Sequence, residues 1–142
     1  MFLYVFGCLL VFMGSSIAQT PEECMNQNLP RTPEAGETVE FYTHPYCMNA
    51  SITWNYPQGA VRARFQLGNG GHNFDICLTH SDVSFIEDIY DETSGLSRRI
   101  SAPTPGSDTC VSSSQAEAVI RFVAPNVLYY VTYIPYYING PL

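Results

Sequence analysis

Apolar and polar residues alternate with period two along much of the chain. The clearest run is Val61, Ala63, Phe65 and Leu67 against Arg62, Arg64 and Gln66. One face carries apolar groups into a core and the other presents two arginines to water, the signature of a half-buried strand. Just before it, Ile52, Trp54 and Tyr56 alternate with Thr53 and Asn55, and Pro57-Gln58-Gly59 turns the chain between the two runs. Thr38–Thr43 predicts an earlier strand ended by His44-Pro45, and Phe74–Leu78 a later one after the Gly68-Asn69-Gly70-Gly71 turn.

Further on, Val83–Ile86 reads as a strand that Glu87–Glu92 could extend, and Leu96–Ile100 as a short one. Ser101–Thr109 reads as a loop leading to Cys110. Ala116–Val123 is partly apolar on both faces, as a central strand is. Val127–Ile134 reads as the last strand, with Val127, Tyr129, Val131 and Tyr133 facing one way and Pro135 limiting its ladder. About eight short strands, Gly/Pro turns and no helical periodicity predict an all-β, antiparallel sandwich.

The first residues depart from this pattern. Phe2–Met13 is almost wholly apolar and ends in Gly14-Ser15-Ser16-Ile17-Ala18. The run is shorter than the roughly 20 residues that span a bilayer. It is a secretory leader over residues 1–18, although no Lys or Arg precedes it; an uncleaved anchor is the alternative. Residues 19–142 are then one domain, with an extended arm over 19–36 and a Tyr/Pro tail over 135–142. The expected location is extracellular, with no membrane association after leader cleavage.

That compartment gives the cysteines their meaning. Cys8 leaves with the leader, and Cys24, Cys47, Cys77 and Cys110 remain, an even number in an oxidising setting. Two disulfides are expected, each worth about 3 kcal/mol by loop closure; four cysteines allow three pairings. No two lie two to four apart, which argues against a zinc site. In the same setting Asn49-Ala50-Ser51 is an N-glycosylation acceptor at Asn49.

Charge narrows the partners. Six arginines, no lysine and thirteen acids give a net charge of −7. No basic surface is available for nucleic acid. Signatures of hydrolases, zinc proteases and phosphate-cradling loops are absent from the sequence, so catalysis is not expected. His44, His72 and His80 are scattered without metal spacing. Trp54, alternating with Ile52 and Tyr56, belongs to the core; a binding aromatic is the other reading.

The central stretch resembles the CUB-domain pattern, and more closely the N-terminal, CUB-like domain of the meteorin family of secreted factors. Cys47, Trp54, Tyr56-Pro57, Gly59-Ala60 and Arg62 follow that family's Cys…Trp-x-Tyr-Pro-x-Gly-Ala-x-Arg run in the same spacing. Cys77 falls where the next cysteine belongs, Cys24 and Cys110 fit the first and fourth, and the likeness extends from about Cys24 to Pro125. It implies a jelly-roll sandwich with sequential disulfides, Cys24–Cys47 and Cys77–Cys110. It also implies an extracellular module that engages a protein or receptor surface. Many CUB domains hold Ca²⁺ with a Glu and two Asp. The candidates here are Asp75, Asp82 and Asp88, but the Glu expected between Phe65 and Cys77 is missing, and the expectation is of no cofactor. Meteorins continue into a cysteine-rich netrin-like domain and this sequence stops at Leu142, so only first-domain properties are expected. Arg62 and Arg64 are candidates for gripping an acidic partner, against a solvated face. A structural matrix component associating through its tyrosines is the alternative function, and a small secreted enzyme or toxin a third.

Overall fold

The alternation builds two sheets that face each other across one core. The computed structural model describes residues 21–68 and 70–140. The expected leader, the first two residues of the arm, Asn69 of the glycine turn and the last two residues of the tail lie outside them. The described strands are β1 (Gln27–Asn28), β2 (Thr38–Tyr42), β3 (Asn49–Asn55), β4 (Ala60–Gln66), β5 (Asp75–Leu78), β6 (Asp88–Asp91), β7 (Arg98–Ile100), β8 (Thr109–Ser112), β9 (Glu117–Val123) and β10 (Val131–Asn139). They form sheets of order β1-β3-β10-β5-β8 and β2-β4-β9-β6-β7. The expected sandwich and both sequential disulfides are present.

The sheets are mixed rather than purely antiparallel. β1 pairs in parallel with β3, and β2 with β4. The cause is the path of the chain. From β1 to β6 each strand crosses to the opposite sheet, so β2 and β4 run the same way with β3 returning between them. Parallel neighbours need such a crossover, and here a strand supplies it.

Inward residues meet in register. Ile134 lies opposite Ile52, Tyr136 opposite Leu78, Val61 opposite Phe122 and Ala63 opposite Ile120. All are buried, as is Trp54. Each fully buried large apolar side chain stabilises the fold by about 1.5–3 kcal/mol. Phe65 meets Tyr136 edge-on across the sheets, with ring centroids 4.9 Å apart. The Tyr136 hydroxyl accepts a 2.7 Å bond from Gln27 Nε2, while Gln27 Oε1 accepts from the His44 amide at 2.8 Å. A buried glutamine of the arm is thereby satisfied and the arm is fastened to the core.

Three expectations need correction. The arm is not simply extended: it holds a helical turn, α1 (Glu22–Met25), and β1. Val83–Ile86 is not a strand, because Asp82–Phe85 forms a 3-10 turn. Val83 and Ile86, three apart, are both buried, which is the spacing of three residues per turn. The last strand is displaced and reversed in phase. β10 begins at Val131, buries Thr132, Ile134, Tyr136 and Ile138, and takes most of the expected tail into the middle of its sheet. Val131–Ile138 carries large side chains on both phases, so periodicity alone does not choose; pairing with β3 and β5 does. Pro135 fits because its carbonyl accepts from the Thr79 amide, beyond the end of β5, so its missing N–H faces the side where that ladder has stopped.

Candidate functional site

The sequence pointed first to the outer face of β4, and the structure places Arg62 and Arg64 there in a continuous ion ladder. Arg62 donates to Glu92 at 2.6 Å and to Glu40 at 2.7 Å. Arg64 donates to Glu40 and to Glu117, both at 2.7 Å. Arg121 on β9 reaches Glu92 at 2.7 Å and lies 4.2 Å from the centroid of the Tyr90 ring. Gln66 closes the row against Glu117. The strand order puts these residues side by side: β2 supplies Glu40, β4 the two arginines, β9 Arg121 and Glu117, and the turn after β6 Glu92.

Electrostatics follow from that packing. Burial pushes the Glu92 carboxyl up, but hydrogen bonds from Arg121, Arg62 and Ser97 outweigh it and hold its pKa at about 2. Burial acts the same way on Glu40, and bonds from Arg62 and Arg64 lower it. Both arginines are raised, Arg62 by Glu40 and Glu92, Arg64 chiefly by Glu40. Three cations meet three carboxylates, so the ladder is charge-neutral and internally satisfied.

The other predicted residues lie apart. Asp75 opens β5, Asp82 sits in the 3-10 turn and accepts from the Tyr133 amide at 3.2 Å, and Asp88 on β6 pairs with Arg99. Among the described residues no three His, Cys, Asp or Glu side chains converge on a point that could hold a metal ion. Asn49 is exposed at the first position of β3, opposite Tyr137. Cys77 and Cys110 face each other across β5 and β8, and Cys24–Cys47 ties α1 to the turn before β3.

The sequence marked Tyr129 and Tyr130 only as part of an associating tyrosine-rich tail; it did not show that they lie on the most exposed apolar surface among the described residues. The segment 124–130, expected to enter the last strand, crosses the end of the sandwich as a loop. Leu128 is 103% exposed and Tyr130 83% exposed. Tyr56, which the alternation grouped with Ile52 and Trp54, lies past the end of β3 and is 66% exposed, its ring edge against Tyr130 at 6.2 Å. Tyr129 packs beside exposed Phe85 of the 3-10 turn at 5.9 Å. The visible signal was Val127-Leu128-Tyr129-Tyr130 directly after Pro125-Asn126: four consecutive large side chains, where a half-buried strand alternates.

Backbone contacts hold this end in place. The Tyr56 amide donates to the Tyr130 carbonyl at 2.9 Å, and the Ala124 amide to the Gly59 carbonyl at 2.9 Å. Tyr56 itself sits at φ +49°, the left-handed region. Gly59 is at φ +66°, and a Cβ there would lie 2.3 Å from the Glu34 carbonyl and 2.6 Å from that of Glu37. Only glycine lets the Pro57–Gly59 turn dock on the 33–37 segment. Between these segments and the 124–128 loop opens a cleft of about 620 Å³, lined by buried Ala60 and Ala124 and by Pro57, Val127 and Leu128. Glu37 and Glu87 contribute carboxylates and Arg121 a guanidinium.

No protein-family model matches the chain, and no curated protein matches it.

Proposed function

We propose that this is a secreted binding module, similar to the meteorin CUB-like domain, that engages a protein or receptor surface through its aromatic end and performs no catalysis. The observation that carries this reading is the exposed cluster of Tyr56, Leu128 and Tyr130 on a backbone pinned from both flanks. Tyrosines presented on a rigid frame lose little entropy when they bind, and exposed contiguous apolar surface marks interaction sites. A two-sheet sandwich with sequential disulfides is what the meteorin likeness implies. The leader pattern and the two disulfides support an extracellular setting, and among the described residues no helix is long and apolar enough to cross a membrane. Exposed Asn49 supports glycan addition at that site, which a mobility shift after glycosidase treatment of secreted protein would register.

The binding reading is tested with labelled, secreted protein on intact cells. Retention should be saturable, and Leu128→Ser with Tyr130→Ser should abolish it while leaving the unfolding midpoint unchanged. Retention that ignores both substitutions would remove the aromatic end from the function.

A further inference from the structure

We infer that the cleft beside the aromatic end takes a partner segment in which an arginine or lysine stands next to apolar side chains, with Glu87 receiving the cation. The inference rests on the binding reading above and adds the chemistry of the partner.

It begins from how the charges are spent. Each of the six arginines is held in an internal ion pair: Arg31 with Glu37, Arg62 with Glu40 and Glu92, Arg64 with Glu40 and Glu117, Arg98 with Asp91, Arg99 with Asp88, and Arg121 with Glu92. Those pairs engage six of the thirteen acids, and 13 − 6 = 7 carboxylates are left, which equals the net charge of −7. Three of the seven, Glu34, Asp82 and Glu87, belong to the segments that build the aromatic end. Of the three charged residues lining the cleft, Arg121 is occupied by Glu92 and Glu37 by Arg31. Glu87 is exposed, lines the cleft and has no ion-pair partner among the described residues.

A cleft with a mixed apolar and polar lining and one free carboxylate selects among occupants. A second copy of this chain would bring the same uncompensated acids against their own likeness, and like charges brought together oppose association. An anionic bilayer is repelled for the same reason, since among the described residues no arginine is free to meet it. A basic, apolar segment gains on both counts: its aliphatic groups cover Val127 and Leu128, and its cation pairs with Glu87.

The test uses the secreted, leader-free chain and fluorescein-labelled dodecapeptides carrying arginine, leucine and phenylalanine between serines. One control set replaces arginine by glutamine and another replaces leucine and phenylalanine by serine. Fluorescence anisotropy should show the arginine set binding roughly fivefold more tightly than the glutamine set, with the difference shrinking as salt rises. Glu87→Gln should erase that difference without moving the unfolding midpoint, and Leu128→Ser with Tyr130→Ser should weaken both sets. Equal binding of the two sets, no binding of either, or a preference that survives Glu87→Gln would overturn the inference. So would a Leu128-dependent dimer in sedimentation, or Leu128-dependent binding to phosphatidylcholine vesicles. If cell retention requires Leu128 and Tyr130 but ignores Glu87, the binding end stands and the partner chemistry falls; if it requires none of them, both fall.

Discussion

The outer face of the second sheet and the aromatic end of the sandwich present opposite kinds of surface. The face carries the arginines that stood out in the sequence, and every one of them is answered by a carboxylate of its own chain. The end carries side chains that the alternation assigned to strands, Tyr56 and Tyr129 among them, and apart from the ring contacts Tyr56–Tyr130 and Tyr129–Phe85 they stay exposed. Water leaves apolar surface exposed at a cost, whereas a neutral ion ladder is comfortable as it is. An unsatisfied surface is therefore a better guide to binding than a conspicuous one. Substitutions can separate the two regions, because one should report on stability and the other on association.

The largest expected effect joins them. Trp54 is fully buried between the sheets, and Trp54→Ala should cost about 3–5 kcal/mol and weaken ladder and end together in urea unfolding. A loss below about 1 kcal/mol would mean that the indole is not the core residue described. Gly59→Ala comes next, at about 2–3 kcal/mol from a forced left-handed alanine and a Cβ driven into two carbonyls. It should also lower binding, because the Gly59 carbonyl holds the Ala124 amide at the start of the exposed loop.

The ladder alone is addressed by Glu92→Gln. Glu92 is 12% exposed and accepts from Arg62, Arg121 and Ser97, so the substitution should cost about 2 kcal/mol at pH 7. The pH dependence has a definite sign. The folded pKa of about 2 lies below the ordinary 4.5, so this stabilisation is complete above about pH 4.5 and is lost as pH falls toward 2. At most about 3 kcal/mol is involved. Urea midpoints at pH 7, 4.5 and 3 should therefore converge between the parent and Glu92→Gln as acid is added. Parallel curves would show that Glu92 is not the group that titrates.

Much of this architecture was legible in the residues. Val61, Ala63 and Phe65 belong to a strand with one wet face, and period two says so directly. The cysteine pairs followed from the resemblance and are the ones present. What stayed hidden depended on distant parts of the chain. The phase of β10 is chosen by Ile52 and Leu78, some 58 to 82 residues earlier by sequence number, through pairing that no local window contains. β8 escaped notice because Thr109–Ser112 is short, largely polar and buries only Val111. The ladder was half legible: Arg62 and Arg64 showed a charged face, but Glu40, Glu92 and Glu117 join them only through the order of the sheet. Misplacing the start of the last strand concealed the aromatic end as well, since residues placed in a strand are not read as a loop across the end of the sandwich.

The smallest effect on stability should come from that end, and it is the sharpest test of the contrast. Leu128 makes no buried contact to lose, and the Tyr130 ring touches Tyr56 only at its edge. The backbone bond from the Tyr56 amide to the Tyr130 carbonyl survives any side-chain change. Leu128→Ser and Tyr130→Ser should each shift unfolding by less than about 0.5 kcal/mol, as exposed positions do, while the pair removes binding. A combined loss of more than about 2 kcal/mol in urea unfolding would show that these side chains support the fold, and the distinction between a finished face and an open end would then fail. A stability-neutral pair that removes binding would locate function at the end of the sandwich, where side chains can be lost without cost to the fold.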